Sequence, residues 1–285
     1  MSGVFVYRLA GTLEDLDHLT PALWDAGAAG LEEGDGAVFA YFPAPVELPF
    51  GGEWAEQAEE DWLAAFRASI RPVTAGSVTV LPSWLAQDAP RGATSVVIDP
   101  GMAFGTGQHE TTFMALLALQ RIDYAAHPRL LDVGTGSGLL AIAAAKLGAA
   151  SVAGTDIDEA ALAAARENAA ANGVQAAMLG AASPREALAL LGGEPFDVVV
   201  ANLYAELHAS LAGEYRAVLR PAGRLVLTGI LAGLGRADQA EPDVEWSTSS
   251  GREMLVREAL AGAGFMLRKR DQQGEWVLLE AEAPS

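Results

Sequence analysis

No cysteine occurs in the 285 residues, which excludes a disulfide framework, a thiolate metal site and a cysteine nucleophile. Positive charge is scarce as well: 18 lysines and arginines stand against 37 aspartates and glutamates, a formal net charge of −19. A nucleic-acid binder offers phosphates a basic footprint, so the balance argues against direct nucleic-acid contact. No apolar run reaches the roughly 18–20 residues of a membrane span. Lys146, Arg166 and Glu167 interrupt the alanine- and leucine-rich stretches. The first residues lack both a basic start and a cleavable apolar core, so the expectation is a cytoplasmic chain without a secretion signal. The histidines, His18, His109, His127 and His208, show no spacing of the H-E-x-x-H kind, and no metal is expected. What the chain does have is 51% hydrophobic and 19% charged residues. That composition suits a packed globule with one large α/β domain and a smaller companion.

The acid is unevenly spread. Residues 1–61 carry 13 acidic side chains and one basic one, Arg8, a local net of −12. Solubility alone would account for it, and so would a landing surface for a basic partner.

Hydrophobic periodicity organises the chain. Residues 4–9 read as a strand, and Leu16, Leu19, Leu23 and Trp24 lie at helical spacing. GDGAVFAYFPAP reads as a turn and a strand ended by two prolines. Its aromatics Phe39, Tyr41 and Phe42 are expected to fill a small core. Trp54, Ala58, Trp62, Ala65, Phe66 and Ile70 predict an amphipathic helix from Trp54 to Ile70. This gives a small βαββ-like domain over 1–55, a linker helix over 56–72 and a large domain over 73–285. In the large domain VTVLPSW and SVVIDP read as short strands, and FMALLALQ as an apolar helix. Strand then alternates with helix: RLLDVG before GLLAIAAAKLG, SVAGTDI before DEAALAAARENAAANG, FDVVVANL before AELHASLAGEYRAVL. RLVLTGI precedes a helix near 252–262, and FMLRKR and EWVLLEAE close the chain as a hairpin around DQQG. Such alternation predicts a parallel sheet with helices on both faces. Residues 235–250 have no period and read as a surface loop.

Three stretches carry chemistry. Asp132-Val133-Gly134-Thr135-Gly136-Ser137-Gly138 joins a hydrophobic strand to a helix. Its G-x-G-x-G spacing differs from the G-x-G-x-x-G that seats a pyrophosphate. An acid at its head would repel a diphosphate and suits a ligand with positive charge or N–H donors. Asp156 ends the next strand, about 20 residues on, where a carboxylate can accept ribose hydroxyls. A nucleoside with a cationic, amino-acid-like tail satisfies both demands, and S-adenosylmethionine is such a molecule. Asp158 reads as the cap of the following helix. Next, Asn202-Leu203-Tyr204 ends the strand DVVVA, at the sheet edge where open α/β folds bind ligands. The Asn202 oxygen with a nearby backbone carbonyl could hold an amine by its N–H groups; helix capping is the competing role. Last, the loop from Gly101 to Thr112 has three glycines, that of the Pro-Gly turn included, and reads as a clasp over a ligand. In it Phe104 could cover an adenine or a sulfonium. His109 could serve as a base or as a hydrogen-bonded loop residue.

DVGTGSG, TDID and the hairpin after RLVLTGI resemble the class I, Rossmann-like S-adenosylmethionine methyltransferases. PGMAFGTGQHETT, ANLYAEL and the earlier DWLAAFR and LPSW resemble the PrmA family, which methylates protein eleven of the large ribosomal subunit. The resemblance implies an α/β fold with a seven-stranded methyltransferase sheet and a small α+β, ferredoxin-like substrate-recognition domain. It implies cofactor contacts from Thr112, Gly134, Asp156 and Asn202, with Gly136 in the same glycine loop. It also implies a basic protein substrate, trimethylated on its α-amine and lysines, which gives the acidic lobe a purpose. Gln108 and the 235–250 loop depart from the family pattern without touching these motifs. Methyl transfer needs a neutral amine rather than a strong base, so Asn202 is expected to position the amine with no dedicated base. The expected assembly is a monomer. Rival readings are a nucleotide-dependent oxidoreductase, a methyltransferase of another protein and a capture module without catalysis.

Overall fold

The computed structural model describes all residues except 1–3, 13–15, 17–18, 29, 35, 43, 49, 58–66, 68–69, 91, 100–108, 182 and 233–250. The chain divides into two compact units, Met1–Arg71 and Pro72–Ser285.

The first unit contains β1 (Val4–Ala10), α1 (Thr20–Asp25), β2 (Gly30–Gly34), β3 (Ala37–Phe42) and β4 (Glu53–Gln57). The strands form an antiparallel sheet in the order β2-β3-β1-β4. Tyr7, Leu9, Leu23, Ala40 and Phe42 make its core, with Trp54 packed against them. The Trp54 ring centroid lies 4.9 Å from that of Tyr7 and 5.1 Å from that of Phe42. Only one of the three aromatics expected in this core is fully buried there, Phe42. Side chains alternate along a strand, which turns Phe39 and Tyr41 to the other face, where the Tyr41 hydroxyl donates to Glu32 at 2.6 Å.

Trp54 does not open a helix. Glu53–Gln57 is a strand whose register sets Tyr7 opposite Trp54 and Val4 opposite Gln57. The unpaired edge of β1 and the aromatic cluster outweigh the helical spacing of Trp54 with later residues. The anticipated boundary at residue 55 therefore cuts a strand, and the unit runs on to Arg71. Of the anticipated linker helix, 58–66 and 68–69 lie outside the described residues, and Arg67 is helical.

The second unit begins with a three-stranded sheet of β5 (Val73–Ala75), β6 (Val78–Leu81) and β7 (Thr94–Val97). Next come α2 (Glu110–Leu119), β8 (Arg129–Val133), α3 (Leu139–Leu147), β9 (Ser151–Asp156), α4 (Glu159–Ala171) and β10 (Ala176–Gly180). The chain continues through α5 (Pro184–Leu190), β11 (Phe196–Asn202), α6 (Ala205–Val218), β12 (Leu219–Leu231), α7 (Gly251–Gly262), β13 (Met266–Gln273) and β14 (Trp276–Glu282). Strands β8 to β14 form one sheet, ordered β10-β9-β8-β11-β12-β14-β13. Its first five members are parallel, and the closing hairpin is antiparallel. The hairpin turns at Gly274 and Glu275, so only the last residue of DQQG is in the turn and the first three extend the strand. β10 and α5 were not anticipated: AAMLG has no β-branched residue, and its alanines read as helix.

Period two sorts the sheet between two cores. Leu130, Val198, Val200, Val226 and Leu278 face one side, packed with α2, α3, α4 and the small sheet. Leu131, Val199, Ala201, Leu225, Leu227 and Leu279 face the other, packed with α6 and α7. Burial on both faces explains why these strands are runs of valine and leucine. Among the described residues no helix is long and apolar enough to cross a membrane. Among them, too, no group of three or more histidines and carboxylates has metal-site geometry.

Candidate active site

The strand order reverses between β8 and β11, the switch point at which open α/β sheets bind ligands. Register aligns three strand ends there: Val133 pairs with Thr155 on one side and with Ala201 on the other. One residue further on stand Gly134, Asp156 and Asn202. Strand spacing alone puts Asp156 about 10 Å from Asn202, two strands away.

The glycine loop leaves β8 in a conformation that side chains resist. Gly134 has φ +70°, and a Cβ there would sit 2.5 Å from a methyl carbon of Leu203. The loop folds back on β9, with Gly134 and Thr135 N–H both donating to the Thr155 carbonyl at 2.8 Å. Asp156 accepts from Gly136 N–H at 3.0 Å and from Asp158 N–H at 3.1 Å, one bond per carboxylate oxygen. Each oxygen keeps a lone pair for a further donor. Asp158 caps α4 through Ala160 N–H, as anticipated.

Asp132 departs from its expected role. It is buried beneath the loop, where it accepts from the Thr135 hydroxyl at 2.7 Å and from Ala141 N–H at 3.3 Å. Burial raises its pKa to about 7; these two bonds pull it down and the Asp156 charge pushes it up. Its other oxygen, Oδ1, is buried without a hydrogen-bond partner. The residue organises the loop from inside and faces no ligand. A loop of three glycines has no side chain large enough to fill the space below it, so the carboxylate turns inward.

Asn202 is the last residue of β11, and Tyr204 takes the N-cap position of α6. The capping role is thereby removed. Its Nδ2 donates to the hydroxyls of Thr111 and Thr112 at 3.1 and 3.3 Å, in the first turn of α2. With the amide anchored by its nitrogen, Oδ1 is turned the other way, toward Gly229. A Cβ on Gly229 would stand 3.0 Å from that oxygen and would overlap the Leu203 carbonyl oxygen. Gly229, at φ +85°, is thus a requirement of the site. Its T-G-I context in the sequence carries no signal of that.

His109 caps α2. Its Nδ1 accepts from Thr111 N–H at 3.3 Å and lies 2.8 Å from the Thr111 hydroxyl, and its ring packs edge-on against Trp276 at 4.9 Å. Of the two roles open to it, the hydrogen-bonded one is the one seen. Phe104 and the rest of 100–108 lie outside the described residues.

One cavity of about 380 Å³ is lined by Thr112, Gly134, Gly136, Asp156 and Asn202 together. Ile157, not anticipated, forms its rim with 87% of its surface exposed. A large apolar side chain left open beside a carboxylate offers a flat face to a ring. Among the described lining residues there is no lysine, arginine or histidine. A diphosphate would meet a carboxylate and no counter-charge, whereas a nucleoside with a cationic tail meets acceptors and apolar wall. A second cavity of about 600 Å³ contains His109, Glu206, Arg252 and Trp276. Asn202 and Leu203 line both cavities and stand between them.

The family model described as "Ribosomal protein L11 methyltransferase (PrmA)" matches residues 46–284. A ribosomal protein L11 methyltransferase of Thermus thermophilus is 49% identical over 276 residues, 97% of this chain and 98% of its own. One from Deinococcus radiodurans is 44% identical, with 98% of each chain covered. Among solved structures, a ribosomal protein L11 methylase from Lactobacillus delbrueckii subsp. bulgaricus aligns with TM-score 0.63 and 30% identity. The match covers 76% of this chain and all of that one.

Proposed function

The chain belongs to the ribosomal protein L11 methyltransferase family and is a protein methyltransferase; from that premise we propose how it recognises donor and acceptor. The donor is S-adenosylmethionine, and the acceptors are the α-amine and lysine ε-amines of the large-subunit protein named by its relatives. S-Adenosylmethionine supplies, when bound, a methyl group made electrophilic by its sulfonium. Asp156 would hold the ribose hydroxyls, Ile157 one face of the adenine, and the Gly134–Gly136 backbone with Thr112 the amino-acid end. Phe104 is the residue assigned to cover the site.

One observation carries the reading: Asn202, tied to Thr111 and Thr112 through Nδ2, lines both cavities, with its Oδ1 and the Leu203 carbonyl side by side at Gly229. Oδ1 and the Leu203 carbonyl are two acceptors that converge beside Gly229, the carbonyl also drawing on the His208 ring. They would hold a neutral amine by two N–H groups and leave its lone pair pointing away from them. An α-amine has a pKa of about 7.7–8.0 and a lysine about 10.4, so presenting a neutral lysine costs about 3.4 kcal/mol more. Burial in an apolar cavity beside a positive sulfonium disfavours the ammonium, and so favours the uncharged amine. The chain's contribution is orientation rather than proton abstraction. The first unit, a four-stranded antiparallel sheet in a segment whose residues 1–61 carry a local charge of −12, would recognise the basic substrate as a ferredoxin-like domain. The enzyme would act as a cytoplasmic monomer without touching nucleic acid.

Intact-mass spectrometry of free ribosomal protein L11, incubated with this protein and S-adenosylmethionine, tests the assignment. Successive gains of about 14 Da, one CH₂ each, are expected, and Asn202→Ala should slow them about a hundredfold while keeping the fold. No gain from the wild type, with donor binding intact, would move the substrate to another basic protein. No gain and no donor binding would leave a capture module.

A further inference from the structure

The two acceptors that face the amine have a buried support behind them. His208, on α6, is fully buried, with Nε2 2.8 Å from the Thr228 carbonyl oxygen and Nδ1 3.2 Å from the Tyr215 hydroxyl. Tyr215 lies seven residues along the same helix, on the same face. A carbonyl can only accept, so Nε2 carries the proton and Nδ1 accepts from Tyr215. Burial keeps the ring neutral by lowering its pKa to about 4, against the pull of the Thr228 and Leu203 carbonyls. The Thr228 carbonyl also accepts the Leu203 N–H, at 3.1 Å. One oxygen thus ties β12, α6 and the Asn202–Tyr204 segment together. The next residue is Gly229, whose Cα faces the Leu203 carbonyl and Asn202 Oδ1. A shift of Thr228 would move both amine acceptors at once.

We propose that His208 is a positioning residue for methyl transfer: it clamps the Thr228 carbonyl that holds Leu203, and so sets where Asn202 Oδ1 and the Leu203 carbonyl meet the amine. A leucine would fill the space without the cost of burying a polar ring. A histidine with both nitrogens engaged fixes a direction that leucine cannot. The inference rests on the reading of Asn202 and Leu203 as amine acceptors.

The test uses the full chain with His208→Met, His208→Gln and His208→Asn, alongside Asn202→Ala. Met removes the donor; Gln reaches the place of Nε2, and Asn stops near that of Nδ1. With His208→Met, kcat on free ribosomal protein L11 should fall about tenfold or more. The calorimetric Kd for S-adenosylmethionine should stay within about twofold, and Gln should recover most of the loss. Wild-type kcat in the Met variant would overturn the proposal, as would equal losses in Met and Gln. If Met does not fold, Gln against Asn decides: a higher kcat for Gln supports the clamp and equal values reject it. Wild-type turnover in Asn202→Ala would defeat the amine-acceptor reading, and this inference with it. A dead Asn202→Ala beside fully active His208 variants would defeat the clamp alone.

Discussion

Asp132 and Gly229 show how much of the site depends on single atoms. Asp132 is an acid whose folded pKa, about 7, stands above its unfolded value of about 3.9. The folded state therefore binds more protons than the unfolded one between those values, and stability falls as pH rises through that window. Asp132→Asn keeps an acceptor for Thr135 and Ala141 and carries no charge. Its stability relative to wild type should grow from pH 4 to pH 7, by up to about 4 kcal/mol for a shift of about three units. Urea unfolding of both proteins at pH 5 and pH 8 reads this out, and a constant difference would contradict it. Gly229→Ala acts on turnover instead. Its added carbon would overlap the Leu203 carbonyl in a backbone region that disfavours side chains by about 1–2 kcal/mol. Steady-state kinetics should show kcat lowered by about tenfold or more. Calorimetry should still show donor binding.

At the scale of elements, α7 is locked to β13 by charge. Glu253, in the first turn of α7, is fully buried and accepts two bonds from Arg270 of β13, at 2.8 and 2.9 Å. Arg257, one turn on, adds a contact at 3.7 Å. Removing one member of a buried pair leaves the other charged and without compensation, at a cost of about 3–5 kcal/mol. Because Arg257 remains, Arg270→Met should fall at the lower end of that range by denaturant unfolding. Glu253→Gln in the same background should restore part of the loss. Equal stability of wild type and Arg270→Met would mean that apolar packing alone seats α7. β4 teaches a related lesson, since its place is set by pairing with β1 and by the Tyr7 and Phe42 rings. Nothing local to Glu53–Gln57 favours a strand over the helix its spacing suggests.

Over the whole molecule the field is negative, with a net charge of −19 and a share of −12 in residues 1–61. For a basic protein substrate such a field raises the encounter rate, and salt screens it within about 10 Å at 0.1 M. Raising sodium chloride from about 50 mM to about 500 mM should lower kcat/KM about tenfold and leave kcat nearly unchanged. A fall in kcat, or no dependence on salt, would detach the acidic surface from substrate capture.

Sequence alone determined the parts of this protein that are local. Runs of valine and leucine that must bury both faces announce the parallel sheet, and three glycines before a helix announce the ligand loop. Asp156 and Asn202 were legible because each ends such a strand, and every β8-like strand delivers its last residue to the same sheet edge. Asp132, in the same motif, was legible as important but not in direction, because which way a carboxylate turns depends on what lies beneath the loop. Tertiary structure alone decided the remainder. Thr112 meets Asn202 across 90 residues. Thr228 gathers Leu203 and His208 from two separate segments, and Gly229 matters only because the Leu203 carbonyl comes to lie against it. These contacts come from strand register and helix docking, long-range pairings that leave no period in the chain.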